Sequence, residues 1–114
     1  ALPISLAEEI RKSRSVLREY RFTLLMDARD YDPAAAAGEE ILLQGVVDCC
    51  FETADGLTVV DFKTDRVTER TVQARAEAYR PQLEAYSRAL ERVLEKKVVR
   101  RALYFLAAGE TMEI

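Results

Sequence analysis

Hydrophobic positions along the 114-residue chain fall into blocks of different period. In residues 5–20, SLAEEIRKSRSVLREY, Leu6, Ile10, Val16 and Leu17 recur at roughly helical spacing, which predicts an amphipathic helix. Ser5 followed by Glu8 has the form of a capping box for that helix. Residues 21–28, RFTLLMDA, predict a strand, and residues 28–40, with a proline, a glycine and four alanines, predict mostly loop. Two apolar runs at 41–51 and 57–63 flank a turn at 52–56 marked by Asp55-Gly56, the pattern of a β-hairpin. Thr64 to Arg70 form a polar connection. From Val72 to Lys96 the period is helical again, with Leu83, Tyr86, Leu90, Val93 and Leu94 on one side. Pro81 within it either opens a new helix or kinks a longer one. VVRRALYFLAA, 98–108, predicts a last strand.

The order helix, strand, strand, strand, helix, strand predicts an α/β (α+β) arrangement of layers rather than an all-β fold. The hairpin strands are apolar on both faces, as expected of central strands covered by helices on each side.

Three charges interrupt those strands: Asp48, Asp61 and Lys63. Unpaired charge is costly to bury, so they neutralise one another or bind something else. Side chains alternate along a strand, which puts Asp61 and Lys63 on one face about 7 Å apart. A four-residue loop, Thr53 to Gly56, sets Asp48 opposite Asp61, whereas a two-residue Asp55-Gly56 loop sets it opposite Lys63. Either register gathers all three on one face; an odd loop or a bulge would break the arrangement. Two carboxylates beside an ammonium are the materials of a Mg²⁺ site, since that cation takes one or two protein carboxylates and fills its octahedron with water and phosphate. Such a site suits phosphodiester hydrolysis, with the lysine orienting water or stabilising developing negative charge. The alternative is a buried Asp–Lys pair that fixes register, with Asp48 solvated near a strand end. The three residues by themselves leave both readings open.

Composition narrows the field. The formal net charge of −3 provides no global basic field for nucleic acid, although a metal-dependent nuclease concentrates acidic residues at its site. The absence of histidine removes Ser-His and Cys-His catalysis. Cys49 and Cys50 are adjacent and so point to opposite faces of a strand; they read as small core residues in a reducing cytoplasm, not as a disulfide or metal site. No apolar run approaches the roughly 20 residues of a membrane span. The opening Ala-Leu-Pro suggests an excised fragment of one partial domain, residues 1–114.

The hairpin motif resembles the D-Xn-(D/E)-X-K core of the PD-(D/E)XK nucleases: Asp48, then Asp61-Phe62-Lys63. The flanking words are more specific. QGVVD (44–48), VDFKTDR (60–66), YRPQLEAY (79–86) and LYF (103–105) together resemble the C-terminal nuclease domain of the AddA and RecB helicase–nucleases, AddA most of all, over about residues 19–108. The resemblance implies a restriction-endonuclease-like core, a central mixed sheet flanked by helices. It implies that Asp48, Asp61 and the Phe62 backbone carbonyl bind Mg²⁺ (Mn²⁺ as a substitute) and that Lys63 is the catalytic lysine. It also places Gln82 and Tyr86, one helical turn apart, as the family's Q-x-x-x-Y motif beside the site. Asp65 and Arg66 belong to the matching motif, and Arg70, Arg75, Arg80, Arg100 and Arg101 are available to phosphates.

The same resemblance implies a Mg²⁺-dependent DNA exonuclease domain of a bacterial helicase–nuclease that processes double-strand breaks for recombinational repair. Its partners would be DNA single strands delivered from duplex ends, the helicase domains of the same polypeptide and an AddB-like subunit. The setting would be the bacterial cytoplasm, at the nucleoid, with no membrane. Two alternatives carry the same core: a stand-alone RecB-like or CRISPR-associated exonuclease, and a non-catalytic DNA-binding or scaffold relative. The family has a further motif upstream that supplies a histidine or glutamate to the metal. No histidine is present here, and the expectation is that the fragment begins after that motif and cuts weakly or not at all alone. Glu8, Glu9 and Glu19 are the substitutes in reach, and the sequence singles out none of them.

Overall fold

The computed structural model describes residues 4–13 and 15–114, the side chains at 4, 5 and 31 excepted. Helix α1 (Ile4–Lys12) is followed by strand β1 (Val16–Asp27), a one-turn helix α2 (Ala28–Tyr31), strands β2 (Glu40–Thr53) and β3 (Gly56–Lys63), helix α3 (Val72–Leu94), and strands β4 (Val98–Phe105) and β5 (Glu110–Glu113). The sheet runs in the order β1-β2-β3-β4-β5. β3 and β4 are parallel, joined by the α3 crossover, and the other pairings are antiparallel. This is a mixed five-stranded sheet with helices, the α+β class expected from the element order.

The predicted helix over 5–20 is corrected. It ends at Lys12, and residues 16–20 belong to β1, where Val16 lies opposite Phe51 and Tyr20 opposite Val47. The apolar residues 16 and 17 fit either period. What decides is the β2 edge, which needs a partner for its backbone groups along its whole length. Ser13 makes the break local: its hydroxyl donates to the Glu52 carbonyl at 2.7 Å and accepts from the Glu52 amide at 3.1 Å. The capping box on Ser5 lies outside the described side chains. α2 appears where loop was predicted, because the Asp27 carboxylate accepts from the Arg29 amide and caps a single turn. β4 ends at Phe105, not at residue 108. The chain turns through Gly109, at φ 65°, into β5, a strand the sequence pattern did not reveal. Pro81 lies inside α3 without ending it.

The sheet separates two apolar layers. Against α3 pack Phe22, Met26, Leu43, Val47, Val59, Leu103 and Phe105, with Leu83, Ala89 and Leu90 from the helix. On the opposite face Leu6 and Ile10 of α1 cover Cys49, Phe51, Val60 and Tyr104. Cys49 and Cys50 thus face opposite layers, both reduced and buried. Burial raises both thiols, Cys50 to about 11, so neither is poised to react. Coverage of β2 is less complete than its two-sided apolar pattern predicts. α1 is too short to reach the outer half of the hairpin, which leaves Leu42 and Val46, and Leu25 opposite Leu42, exposed.

Candidate active site

The β2–β3 ladder runs from Thr53 opposite Gly56 to Cys49 opposite Val60, leaving Ala54-Asp55 as the loop tip. This is the register in which Asp48 stands one rung further on, in line with Asp61. Gly56 makes the tight return possible: its φ is 148°, and a Cβ there would lie 2.5 Å from the Lys97 carbonyl oxygen.

Asp48 does not sit in a regular ladder. Val47 and Cys50 both face α3 while Cys49 faces α1, so the alternation of β2 slips by one residue at Asp48. β1 slips at the opposing position, where Leu17 and Tyr20 face α3 and Glu19 has φ 49°. Because both strands carry the extra residue at one rung, the pairing is preserved on either side, Arg18 with Cys49 and Tyr20 with Val47. The slip turns Asp48 toward β3, where its carboxylate accepts the Phe62 amide at 2.7 Å. Such irregularities re-aim a side chain at the cost of one rung of pairing. A strand residue presents its N–H and C=O on the same side, so the Phe62 carbonyl faces the edge that Asp48 occupies.

Asp61 and Lys63, two apart on β3, form an ion pair of 2.8 Å with side chains only 13% and 15% exposed. Burial is the main reason the Asp61 carboxyl is pushed up to about 6, and a shared hydrogen bond with Asp48 adds to it; Lys63 pulls the other way and loses. Ionising Asp61 beside a second carboxylate in this half-buried place is costly, so the pair is short of positive charge. The donor set, two carboxylates and a carbonyl at one strand edge, consists of hard oxygens and fits a divalent cation of the Mg²⁺ kind. Among the described residues no group of three or more His, Cys, Asp or Glu side chains converges. Of the glutamates in reach of the metal role, Glu9 is held by Arg100 at 2.7 Å and Glu8 lies 3.9 Å from Arg11.

The Asp61 shift has a sign that can be measured. Its folded-state value lies above the ordinary 3.8, so its contribution to stability is complete below about pH 4 and is lost as pH rises through about 6. Asp61→Asn removes that dependence. In metal-free buffer the melting temperature of Asp61→Asn relative to wild type is expected to climb between about pH 4 and pH 7 and to level off above that; a flat difference throughout would mean that Asp61 ionises normally.

Gln82 and Tyr86 lie one turn apart on α3, the Gln82 amide 3.4 Å from the Tyr86 hydroxyl. Tyr86 is half-buried, edge-on to Phe22 with ring centroids 5.1 Å apart. Gly45 makes room for both rings, since a Cβ there would meet them at 2.6 and 2.7 Å. Gln82 is exposed, and no described hydrogen bond or ion pair joins Gln82 or Tyr86 to Asp48, Asp61 or Lys63. The α3 residue that does reach the cluster is Tyr79, whose ring centre lies 4.1 Å from the Lys63 ammonium. It escaped the sequence reading although Tyr79, Gln82 and Tyr86 stand at i, i+3 and i+7, one face of a helix. Asp65 binds Arg75 and the Tyr79 hydroxyl. Arg80 bonds Glu77, Arg100 bonds Glu9 and Glu113, and Arg101 bonds the Ile114 carbonyl, so these arginines are engaged within the fold.

The sheet is mixed, with one βαβ crossover, and the Asp61-Phe62-Lys63 end of β3 lies under the crossover helix at Tyr79. The chain belongs to the PD-(D/E)XK nuclease superfamily, whose family model matches residues 2–113. It is similar to the AddA proteins, the large ATP-dependent helicase/nuclease subunits: 40% identical to that of Heliobacterium modesticaldum, 38% to that of a Thermoanaerobacter species and 34% to that of Bacillus velezensis, each over 96% of this chain. The chain spans only 8%, 9% and 10% of the length of these relatives. Among the described residues no helix is long and apolar enough to cross a membrane.

Proposed function

We propose that this chain is the nuclease domain of an AddA-type helicase–nuclease and that it hydrolyses DNA phosphodiester bonds with Mg²⁺. The observation that carries the reading is the half-buried Asp48–Asp61 pair beside Lys63, in a member of a nuclease superfamily. Asp48, Asp61 and the Phe62 carbonyl would hold the cation, with Mn²⁺ as a substitute. Bound there, the ion would supply Lewis-acid polarisation of a phosphoryl oxygen and a more acidic water. Lys63 carries three N–H donors, of which Asp61 takes one; the rest are free to orient a nucleophilic water or to meet charge developing on the phosphate. Tyr86, wedged over Gly45, and Gln82 above it line the adjacent face of α3, where the strand being cut would lie. In the whole protein the helicase part would deliver single strands from duplex ends, an AddB-like subunit would be the partner, and the process would be recombinational repair of double-strand breaks in the bacterial cytoplasm.

The test is thermal melting with and without millimolar Mg²⁺ or Mn²⁺. A ligand bound only by the folded state stabilises it by about 2.7 kcal/mol at a hundredfold excess over Kd. The wild type is expected to melt higher in either metal and Asp61→Ala to ignore both. Equal responses from the two proteins would remove the site, and with it the nuclease reading of these residues.

A further inference from the structure

Lys63 is held from two sides, and one of them lies outside the Asp-x-Lys motif. Its ammonium pairs with Asp61 at 2.8 Å and stands 4.1 Å from the centre of the Tyr79 ring, well inside the roughly 6 Å over which a ring face attracts a cation. Tyr79 is itself fixed. Its hydroxyl donates to Asp65 Oδ1 at 2.7 Å, and the other oxygen of that carboxylate is taken by the Arg75 guanidinium, which lies 5.7 Å from the same ring. The Arg75 guanidinium holds the Asp65 carboxyl below its ordinary range, so the acceptor that anchors Tyr79 stays ionised. The sequence places these parts where they must be: Lys63 and Asp65 at the end of β3 and just beyond it, Arg75 and Tyr79 one turn apart in the first half of α3.

We infer that Tyr79 is a positioning residue for Lys63: its ring, steadied by Asp65, keeps the ammonium turned toward the carboxylate pair. A lysine stem has four rotatable bonds, and an ion pair by itself leaves the ammonium several rotamers. The ring face removes those in which it swings away. This rests on the proposed catalytic part of Lys63, but its geometry is measurable apart from catalysis. The ε-methylene of a lysine over an aromatic face resonates upfield of a solvated one, and the other three lysines, Lys12, Lys96 and Lys97, are exposed and serve as references.

The experiment compares wild type, Tyr79→Phe and Tyr79→Leu by ¹H–¹³C NMR of the lysine ε-methylenes in this chain and, in a helicase–nuclease polypeptide carrying the same substitutions, by Mg²⁺-dependent cleavage of a labelled single-stranded oligonucleotide, with Lys63→Ala as the reference for loss of the lysine. Wild type and Tyr79→Phe, which keeps the ring, should show one upfield lysine. Tyr79→Leu should lose it and lose about 10²-fold in kcat, the scale of an ångström's misplacement, with KM little changed. Should Tyr79→Leu fail to fold, Tyr79→Met fills the same space without a ring and carries the comparison. The inference is overturned if Lys63 resonates with the other lysines in wild type, if its shift survives loss of the ring, or if the shift is lost without loss of rate. If the shifts behave as stated while wild type cuts no better than Lys63→Ala, the positioning stands and the nuclease reading is what fails.

Discussion

Lys63→Met is expected to reduce Mg²⁺-dependent DNA cleavage by about 10²–10³-fold, the loss that follows removal of one preorganised donor at a developing oxyanion. Methionine keeps most of the lysine's length and apolar stem, so packing beside Tyr79 survives and only the charge and donors go. The Asp48–Asp61 pair remains, and without the ammonium at 2.8 Å it is still shorter of positive charge. The metal-dependent rise in melting temperature should therefore persist or grow in Lys63→Met, whereas Asp61→Ala loses the rise and the cleavage together. The assay belongs in a helicase–nuclease polypeptide carrying the substitution, because this chain spans only 8–10% of the length of its relatives. Cleavage undiminished by Lys63→Met would take Lys63 out of the chemistry and leave it as a structural counter-ion.

The two substitutions also separate the alternatives left open by the sequence. A buried pair that only fixes register would be weakened by either change, with no metal response in any of the proteins. A metal site splits them, because one residue is a ligand and the other is not. An ion pair kept for stability would hold its carboxylate below the ordinary value, yet burial and Asp48 overcome Lys63 and push Asp61 up to about 6. The fold maintains a cost there that a cation would relieve.

Much of this was legible from residue order, for reasons that differ by element. The hairpin and the α3 crossover announce themselves because period 2 and period 3.6 leave different apolar traces over eight or more residues. The adjacency of Asp61 and Lys63 needs nothing more than strand alternation. Of the two registers left open for Asp48, the structure has the one that sets it in line with Asp61, but not by the predicted route. Alternation predicts a regular rung, whereas the carboxylate arrives through a paired slip at Glu19 and Asp48 that no local propensity encodes. Residues 16–20 were misread because Val16 and Leu17 satisfy a helix as well as a strand, and the unpaired edge of β2 settles the choice only in three dimensions. Tyr79 was overlooked for a related reason. Its partner lies on the preceding element, β3, and a tyrosine on an apolar helical stripe looks like core until the lysine beneath it is placed.

Phe105→Ala is expected to be the most damaging single substitution away from the charges. Phe105 has no exposed surface, faces α3 within the larger apolar layer, and stands beside Lys63 in the parallel β3–β4 ladder. Emptying such a site removes a full aromatic side chain from close-packed surroundings and leaves a cavity, a loss of about 3–5 kcal/mol. Against the roughly 5–15 kcal/mol that holds a domain folded, that is a large fraction. At about 4 °C per kcal/mol for a domain near this size, the melting temperature should fall by more than about 10 °C, with a matching drop in urea midpoint at unchanged slope. Phe51→Ala, equally buried but on the α1 face, is the control. It should cost a similar amount of stability while leaving the upfield Lys63 resonance in place at temperatures below its melt. Phe105→Ala should broaden or shift that resonance, since the Lys63 carbonyl is bonded to the Leu106 amide at 2.9 Å and any repacking of β4 is felt along β3. A loss under about 1 kcal/mol for Phe105→Ala, on the scale of a surface change, would show that α3 does not close over this end of the sheet. The ring that steadies Lys63 would then have no fixed place from which to do so.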